Sequence, residues 1–400
     1  MRHFSQLPAA ASGELFHRAP AEFDRDSSHQ VLAHALGATL YVPGTREDLA
    51  EVIERRVAAG VRSMVIDLED AVQDDDLAQA EDNTVRAIAR LSARPAGALL
   101  FVRTRVPEQI PQITEHLGKY GDALTGFVAP KFTPANAVAY LDATAEAAQR
   151  SGSRMFLMPV LETPDLLYRE TREPTLQELR DILTTHRDQI LCLRLGATDL
   201  CGLYGIRRDR DLSIYEVQIV ADLIGDLVNH FGRMDGTGHV ISGPVWEYFR
   251  SQDRLMKPRL RASPFELLRA GKLRDRLLKE DLDGLIREIV LDRSNGLTGK
   301  TVIHPTHVPV VHAMSTVSHE EYVDAQAVLA AATPSAPQTG SGAAQGGSSG
   351  GVAASQYRNK MNEFRPHRRW AERIMLRAEV FGVLAPGVTV PRLLAAVESV

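Results

Sequence analysis

The sequence predicts an α/β protein whose parallel strands close into an eight-stranded (β/α)8 barrel, and three observations point there. Short β-rich apolar runs alternate with longer segments of helical period, the pattern of βα units repeated around a parallel sheet. Eight such runs can be found, at 38–44, 63–70, 97–105, 124–131, 154–162, 190–200, 239–245 and 300–305. Several of them end in charged residues, which places those residues at the C-terminal rim, where barrels carry their chemistry. A chain of 400 residues with 44% hydrophobic content is long enough to bury one large core or two ordinary ones.

Residues 1–37 precede the first strand as an N-terminal extension, and 38–330 form the barrel domain. Between the first and second runs, Leu49, Val52, Ile53 and Val57 recur at helical spacing over 47–59, and Gly60 stands where a C-terminal cap belongs. Further on, Ser213 is placed to cap a helix containing Val217, Ile219, Val220, Leu223, Leu227 and Val228, expected to cover the sixth strand. The seventh run is followed by an excursion over 246–295 that is longer than an ordinary crossover. It carries Arg250, Arg254, Lys257, Arg259 and Arg261 before a helical stretch over 266–291, and reads as a solvated helical insertion, with an anion-binding lid as the competing reading. Residues 331–355 are dominated by Ala, Ser, Gly, Pro and Gln and predict a flexible linker. Residues 356–400 regain helical character, with Trp370, Ile374, Met375, Ala378 and Val380 among many arginines. A helix tethered in this way can return as a lid to its own barrel mouth or reach a neighbouring subunit.

Composition narrows the function classes. A formal charge of −5 gives no general case for nucleic-acid or membrane-surface binding. No apolar run approaches the roughly 20 residues that span a bilayer, and the start of the chain lacks a signal-peptide pattern, so a cytoplasmic location is expected. Cys192 and Cys201 have no C-x-x-C partner and are expected to be buried free thiols.

Glu162 and Asp199 each close an apolar run and, on buried parallel strands, would project from the barrel mouth. Two such acids suggest a divalent cation, with simple ion pairing as the alternative. The second run ends in Asp67, Glu69 and Asp70, of which Asp67 and Glu69 share a face in an extended chain. Their repulsion calls for a cation or a basic partner, and Arg103 and Arg105 at the end of the third run point the same way in a strand. A plain Asp–Arg pair closing the mouth is the competing reading. Lys131, ending the fourth run, is read as a protonated partner of Glu162 on the adjacent strand in preference to a Schiff-base nucleophile. The stretch 294–301 looks like a phosphate-binding loop, but Ser294 stands where the first Gly is needed and a strand follows, which excludes an NTPase. His304 and His307 flank Pro305 at the end of the eighth run, as metal ligands or as hydrogen-bonded loop side chains.

Taken in order, Leu40-Tyr41-Val42-Pro43-Gly44, Asp67-Leu68-Glu69-Asp70-Ala71-Val72, Val102-Arg103, Pro130-Lys131, Leu161-Glu162-Thr163, Gly196-Ala197-Thr198-Asp199-Leu200 and Gly299-Lys300-Thr301-Val302-Ile303-His304-Pro305 resemble the citrate lyase β-subunit-like branch of the HpcH/HpaI aldolase family. The resemblance implies a TIM barrel, a Mg²⁺ or Mn²⁺ ion, and cleavage of a carbon–carbon bond, commonly in the CoA thioester of a hydroxy acid. Carried over by position, it makes Glu162 and Asp199 the metal ligands and Arg103 the residue that steadies an enolate oxygen. Gly196, Ala197 and Thr198 become a carboxylate-binding turn. Beside these, Arg105 and His304 are expected as further substrate contacts, and Asp67 and Lys131 as catalytic residues, Lys131 in an electrostatic role. The hydroxy-oxo-acid aldolase branch has His where this chain has Asp70, which leaves Asp70, Glu69 or a metal-bound water as the base.

The segment 359–371 is similar to the Gly-Lys-Met-x-Asp-x-Pro segment that ends many relatives and caps an active site, often that of an adjacent subunit; Asn359 replaces Gly, Glu363 replaces Asp, and Pro366 is displaced by one residue. With the insertion after the seventh strand, this resembles the divergent TIM-barrel lyase group associated with tellurium-resistance gene clusters, in which a CoA substrate is not assured. The expectation is a Mg²⁺-dependent carbon–carbon lyase acting on a small carboxylate or CoA thioester and forming a homo-oligomer. An acyl-CoA hydrolase on the same barrel and a non-catalytic ligand-binding relative are the alternatives.

Overall fold

The computed structural model describes residues 1–93, 97–249, 282–332 and 351–399. The N-terminal residues contribute helix α1 (Ala9–Leu15), strand β1 (Phe16–Arg18) and helix α2 (His29–Ala35), after which the barrel strands begin. These are β2 (Ala38–Pro43), β3 (Ser63–Asp67), β4 (Leu99–Arg103), β5 (Gly126–Ala129), β6 (Phe156–Leu161), β7 (Arg194–Leu195) and β8 (Lys300–Val302), parallel throughout and ordered β7-β6-β5-β4-β3-β2-β8. The ring closes through the predicted seventh strand, which supplies only isolated bridges, Leu193 to Ile241 and Gly243 to Lys300. Gly243 has no side chain to pack and Pro244 has no N–H for a ladder, so a regular strand cannot form there.

The strands alternate as a barrel requires. Leu40, Val42, Met64, Ile66, Leu100, Val102 and Phe127 join an outer core between strands and helices, whereas Val65, Phe101, Val128, Phe156, Met158 and Val160 form a separate interior cluster. Leu32 and Ala35 of α2 belong to the interior cluster together with Phe381, so the N-terminal end of the barrel is plugged by apolar side chains. The opposite end is left for polar groups.

Around the sheet run α3 (Leu49–Ala58), α4 (Leu77–Leu91), α5 (Gln109–Leu117), α6 (Pro134–Ser151), α7 (Pro164–Leu167), α8 (Arg169–Thr185), α9 (Ala197–Gly202) and α10 (Gln218–Phe231). Gly60, at φ +96, ends the turn after α3 in a conformation open mainly to glycine. Two sequence expectations shift here. Ser213 forms a capping box with Glu216 over a single 3₁₀ turn, and the helix proper starts only at Gln218. The sixth strand, predicted over 190–200, is cut short because the chain turns at Gly196 and enters α9.

Within the predicted insertion, residues 250–281, including Arg250, Arg254, Lys257, Arg259 and Arg261, lie outside the described residues, and its end forms α11 (Asp283–Ser294). Helices α12 (His307–Ser315) and α13 (His319–Ala332) complete the ring. Most of the predicted linker, 333–350, also lies outside the described residues. The C-terminal segment comprises the hairpin β9 (Val352–Ala354) and β10 (Met361–Glu363), α14 (Phe364–Phe381), β11 (Val383–Leu384) and α15 (Val390–Val397). Helix α14 packs on α13 and α2, and β11 pairs antiparallel with β1, so this segment lies against the plugged end and not across its own mouth. The apolar face of α14, with Ala371, Ile374 and Ala378 buried against Val317, Tyr322 and Val328, holds it there. Among the described residues no helix is long and apolar enough to cross a membrane. Cys192 and Cys201 are buried free thiols.

Candidate active site

Strands β3 and β4 end in register, Asp67 opposite Arg103, and this places a carboxylate and a guanidinium side by side at the mouth. Arg103 grips Asp67 through both carboxylate oxygens at 2.6 Å, Nε to Oδ1 and Nη2 to Oδ2. Its Nη1 donates to Asp70 Oδ2 at 3.1 Å and lies 2.9 Å from Glu69 Oε2. The ion-pair reading is therefore realised, and it extends to all three acids of the second strand. Burial works against the charge on Arg103, but the hydrogen bonds and charge of Asp67 outweigh it and raise the pKa. Of the five N–H groups on a guanidinium, one on Nη2 remains without an assigned acceptor.

Lys131 differs from its sequence assignment. Its φ of +47 turns the chain after β5 so that the backbone N–H, not the ammonium, donates to Glu162 Oε1 at 2.8 Å. The ammonium pairs instead with Glu69 and lies 3.8 Å from Asp70. Burial pushes the Glu69 carboxyl up, against the pull of Arg103 and Lys131. For Asp70, burial also pushes upward, but the hydrogen bond from Glu69 and the charges of Arg103 and Lys131 prevail and hold it below its ordinary range.

Glu162 follows Val160 of β6 with the inward parity of that strand and is 5% exposed. Burial is the main reason its carboxyl is pushed up to about 7; the Lys131 N–H opposes this, and the charge of Asp199 adds to it. Asp199 is not at a strand end, as expected, but in the first turn of α9, where Gly196 lets the two backbones meet. A Cβ on Gly196 would lie 1.8 Å from Glu162 Oε2, so only glycine admits this approach. Asp199 is likewise pushed up, by burial and then by Asp70. Thr198 donates to Glu247 Oε1 at 2.8 Å, which ties α9 to the chain beyond the seventh strand.

Asp67, Asp70, Arg103, Glu162, Gly196, Thr198 and Asp199 line one cavity of about 860 Å³ at the C-terminal end of the strands. Ala197 is buried beside it. Besides Ala197, two more of the expected substrate contacts, Arg105 and His304, are absent from its lining. Arg105 lies beyond the end of β4, where strand alternation has stopped, and it braces the loop after β3 through Leu68 O at 2.8 Å, Val72 O and Asp74. His304 stacks on Phe249 at 5.0 Å and bonds the Thr306 hydroxyl at 2.7 Å, while the preceding Ile303 reaches the cavity. His307 is buried in α12, and among the described residues no group of three or more His, Cys, Asp or Glu is placed to hold a metal ion.

One residue escaped the sequence reading. Arg194 of β7 lies on the floor of the same cavity, 1% exposed, with Nη2 2.5 Å from the Thr301 hydroxyl and Nη1 3.4 Å from the Thr39 hydroxyl. The signal was present: a lone charge inside the apolar run Leu191-Cys192-Leu193-Arg194-Leu195. Glu247, the acceptor for Thr198, carried no comparable mark.

Solved structures share the fold. A citrate lyase from Burkholderia xenovorans LB400 superposes with a TM-score of 0.58 at 15% identity, covering 89% of this chain and 96% of that one. The CitE protein of Mycobacterium tuberculosis, in complex with magnesium, acetoacetate and coenzyme A, gives 0.52 at 21% identity over 86% of this chain and 99% of that one. A malate synthase from Haloferax volcanii gives 0.50 at 14% identity over 82% and 80%. No curated protein matches the chain in sequence. The family model described as C-C_Bond_Lyase of the TIM-Barrel fold matches residues 30–383, which takes in α2, the whole ring and α14. The chain belongs to this family of TIM-barrel carbon–carbon bond lyases.

Proposed function

We propose that this lyase is divalent-metal-dependent and acts on an oxo or hydroxy acid, free or as a thioester, by way of an enolate. The observation that carries the reading is the meeting of Glu162 and Asp199 in one cavity with Arg103. Each of the two acids is pushed up by burial and by a neighbouring acid, a cost that a bound cation removes. An all-oxygen donor set of only two carboxylates suits Mg²⁺, which keeps other positions for water and substrate, and Mn²⁺ equally. When bound, the metal supplies Lewis acidity to the substrate oxygen at which charge develops.

The remaining work falls to the chain. The grip of Asp67 fixes the Arg103 guanidinium before substrate arrives, so its positive charge faces the forming enolate oxygen with little reorganisation. Ala197 and Thr198 open α9, and their N–H groups have no intrahelical acceptor, which suits them to a substrate carboxylate. Asp70 lines the cavity with Oδ2 on Arg103 and Oδ1 3.8 Å from the Lys131 ammonium, and Oδ1 is the oxygen we assign to proton exchange. In the cleavage direction Asp70 takes the hydroxyl proton, the carbon–carbon bond breaks with its electron pair passing into the enolate, and a proton then adds to the enolate carbon. Glu69 is the stronger base by its raised pKa, but it lies outside the cavity lining under Lys131, which we assign an electrostatic role. The hairpin β9–β10 leaves Val352 62% and Met361 52% exposed, which supports a homo-oligomer in which this segment meets a neighbour.

Proton exchange tests the enolate directly. In D₂O with Mg²⁺, the methyl protons of pyruvate should exchange; Glu162→Ala should abolish the metal-dependent part, and Arg103→Ala should slow it about 10²-fold. An absence of metal-dependent exchange by the wild type with pyruvate, acetoacetate and acetyl-CoA alike would end this reading.

A further inference from the structure

Arg194 is the anomaly of the barrel interior. Taking a guanidinium out of water costs several kcal/mol unless opposite charge or a full set of acceptors offsets it. Other deeply buried arginines of the chain follow that rule. Arg208, 2% exposed, pairs with Glu288; Arg103, 9% exposed, pairs with Asp67; and Arg62, 5% exposed, donates to the carbonyls of Arg2, Val57 and Val61. Arg194, at 1%, meets the Thr301 and Thr39 hydroxyls, the Cys192 thiol, the Met158 sulfur at 3.9 Å and the face of Tyr41 at 5.6 Å, none of them an anion. Its Nε has no partner, and among the described residues no carboxylate pairs with it.

The position of this charge indicates what completes it. Arg194 stands level with Val160 in the β6–β7 ladder, so Glu162 lies two residues farther along the strand direction, roughly 7 Å at the usual rise per residue. The acids of the cavity sit at the rim, whereas Arg194 has hydroxyls and an aromatic face around it. A guanidinium that borders the cavity with an N–H still unpartnered is a group whose hydrogen bonding and charge a planar carboxylate completes.

We propose that Arg194 binds a second carboxylate of the substrate, so that the acid handled at the rim is a dicarboxylate of about four to five carbons whose far end descends to Arg194 and Thr301. The inference builds on the enolate reading for the chemistry at the rim, and it adds a specificity-determining residue at the floor. It also accounts for the retention of a buried charge that weakens the ligand-free protein.

The test compares two 2-hydroxy acids that differ only in this group, 2-hydroxybutanoate and hydroxybutanedioate (malate), by calorimetric titration with Mg²⁺ present. The wild type should bind malate at least tenfold more tightly, and in Arg194→Met the ratio should fall below twofold, with Arg194→Lys retaining part of it. Without ligand, Arg194→Met should melt at a higher temperature than the wild type, whereas a merely structural arginine would lower it on removal. Equal affinity of the wild type for both acids, or a malate preference that survives in Arg194→Met, overturns the proposal; the first comparison needs no variant to fold. Failure here is separable from failure at the rim. A wild type that exchanges pyruvate protons but does not prefer malate keeps the enolate reading and loses the subsite, and the reverse result keeps the subsite alone.

Discussion

Glu162 is a carboxyl held close to neutrality by its surroundings, and the sign of its effect on stability follows from that. Its pKa rises from 4.5 to about 7 on folding, chiefly through burial and then through Asp199 against the Lys131 N–H. A group raised in the folded state contributes stability that is complete below its unfolded pKa and is lost as pH rises through the folded value. Metal-free wild type should therefore lose stability relative to Glu162→Gln between about pH 4.5 and 7, and Mg²⁺ should restore it in the wild type alone. Melting curves across that range check this, and parallel pH profiles for the two proteins would contradict it. The acids and Arg103 were readable as residues because charge at the end of an apolar run is rare. Their pairings were not, because the ammonium of Lys131 is sent to Glu69 by a backbone turn with positive φ that no side-chain pattern encodes.

At the level of elements, the short helix α9 decides the site. The sequence reads 190–200 as one strand, since every residue from Ile190 to Leu195 except Arg194 is apolar or thiol, yet the chain leaves the sheet at Gly196. Leaving there puts Asp199 on a helical turn facing Glu162 and brings the Gly196 backbone against that carboxylate. Gly196→Ala should consequently displace Glu162 while leaving the sheet intact. The expected outcome is native far-ultraviolet circular dichroism with metal affinity reduced at least tenfold, measured by Mn²⁺ titration; unchanged affinity would show that α9 does not set the site. A second element-level device is the buried network on β8 and α11, in which Lys300, wholly buried, joins Glu288 at 2.8 Å and Asp292 at 2.7 Å. Lys300 was legible as part of a motif, but its direction, outward from the barrel into α11, depends on strand parity.

Across the whole molecule, the plugged end of the barrel carries its own pH dependence. His3, His34 and His312 are buried there among Phe23, Phe381 and α2, with the ring of His3 4.4 Å from those of both His312 and Phe381. Burial lowers all three, His3 well below its ordinary value, His34 to about 4 and His312 to about 3; the facing charges of His312 on His3, of Arg62 on His3 and His312, and of Arg373 and Arg377 on His34 lower them further, against carbonyl hydrogen bonds at His3 and His34. A histidine lowered on folding leaves the unfolded chain as the better proton acceptor, so stability is lost as pH falls below 6.5. At about pH 5 His34 and His312 each cost on the order of 2 kcal/mol, and together they outweigh the opposite trend of Glu162, with His3 acting in the same direction. The melting temperature should fall steeply from pH 7 to pH 5, and His312→Phe should flatten that fall, as scanning calorimetry would show; an unaltered slope would place the acid sensitivity elsewhere.

The sequence by itself determined the class of the molecule: βα alternation, charges at strand ends and small-residue turns are local patterns, and each survives in the chain as read. The barrel, the acids Glu162 and Asp199, and Arg103 were all accessible in this way. Tertiary structure alone decided which charges meet, that the C-terminal helix lies against the plugged end instead of its own mouth, and that Arg194 sits without a counter-charge beneath the rim. These depend on strand register and on packing between segments far apart in the chain, where a shift of one residue moves a side chain from the interior of the barrel to its outer face.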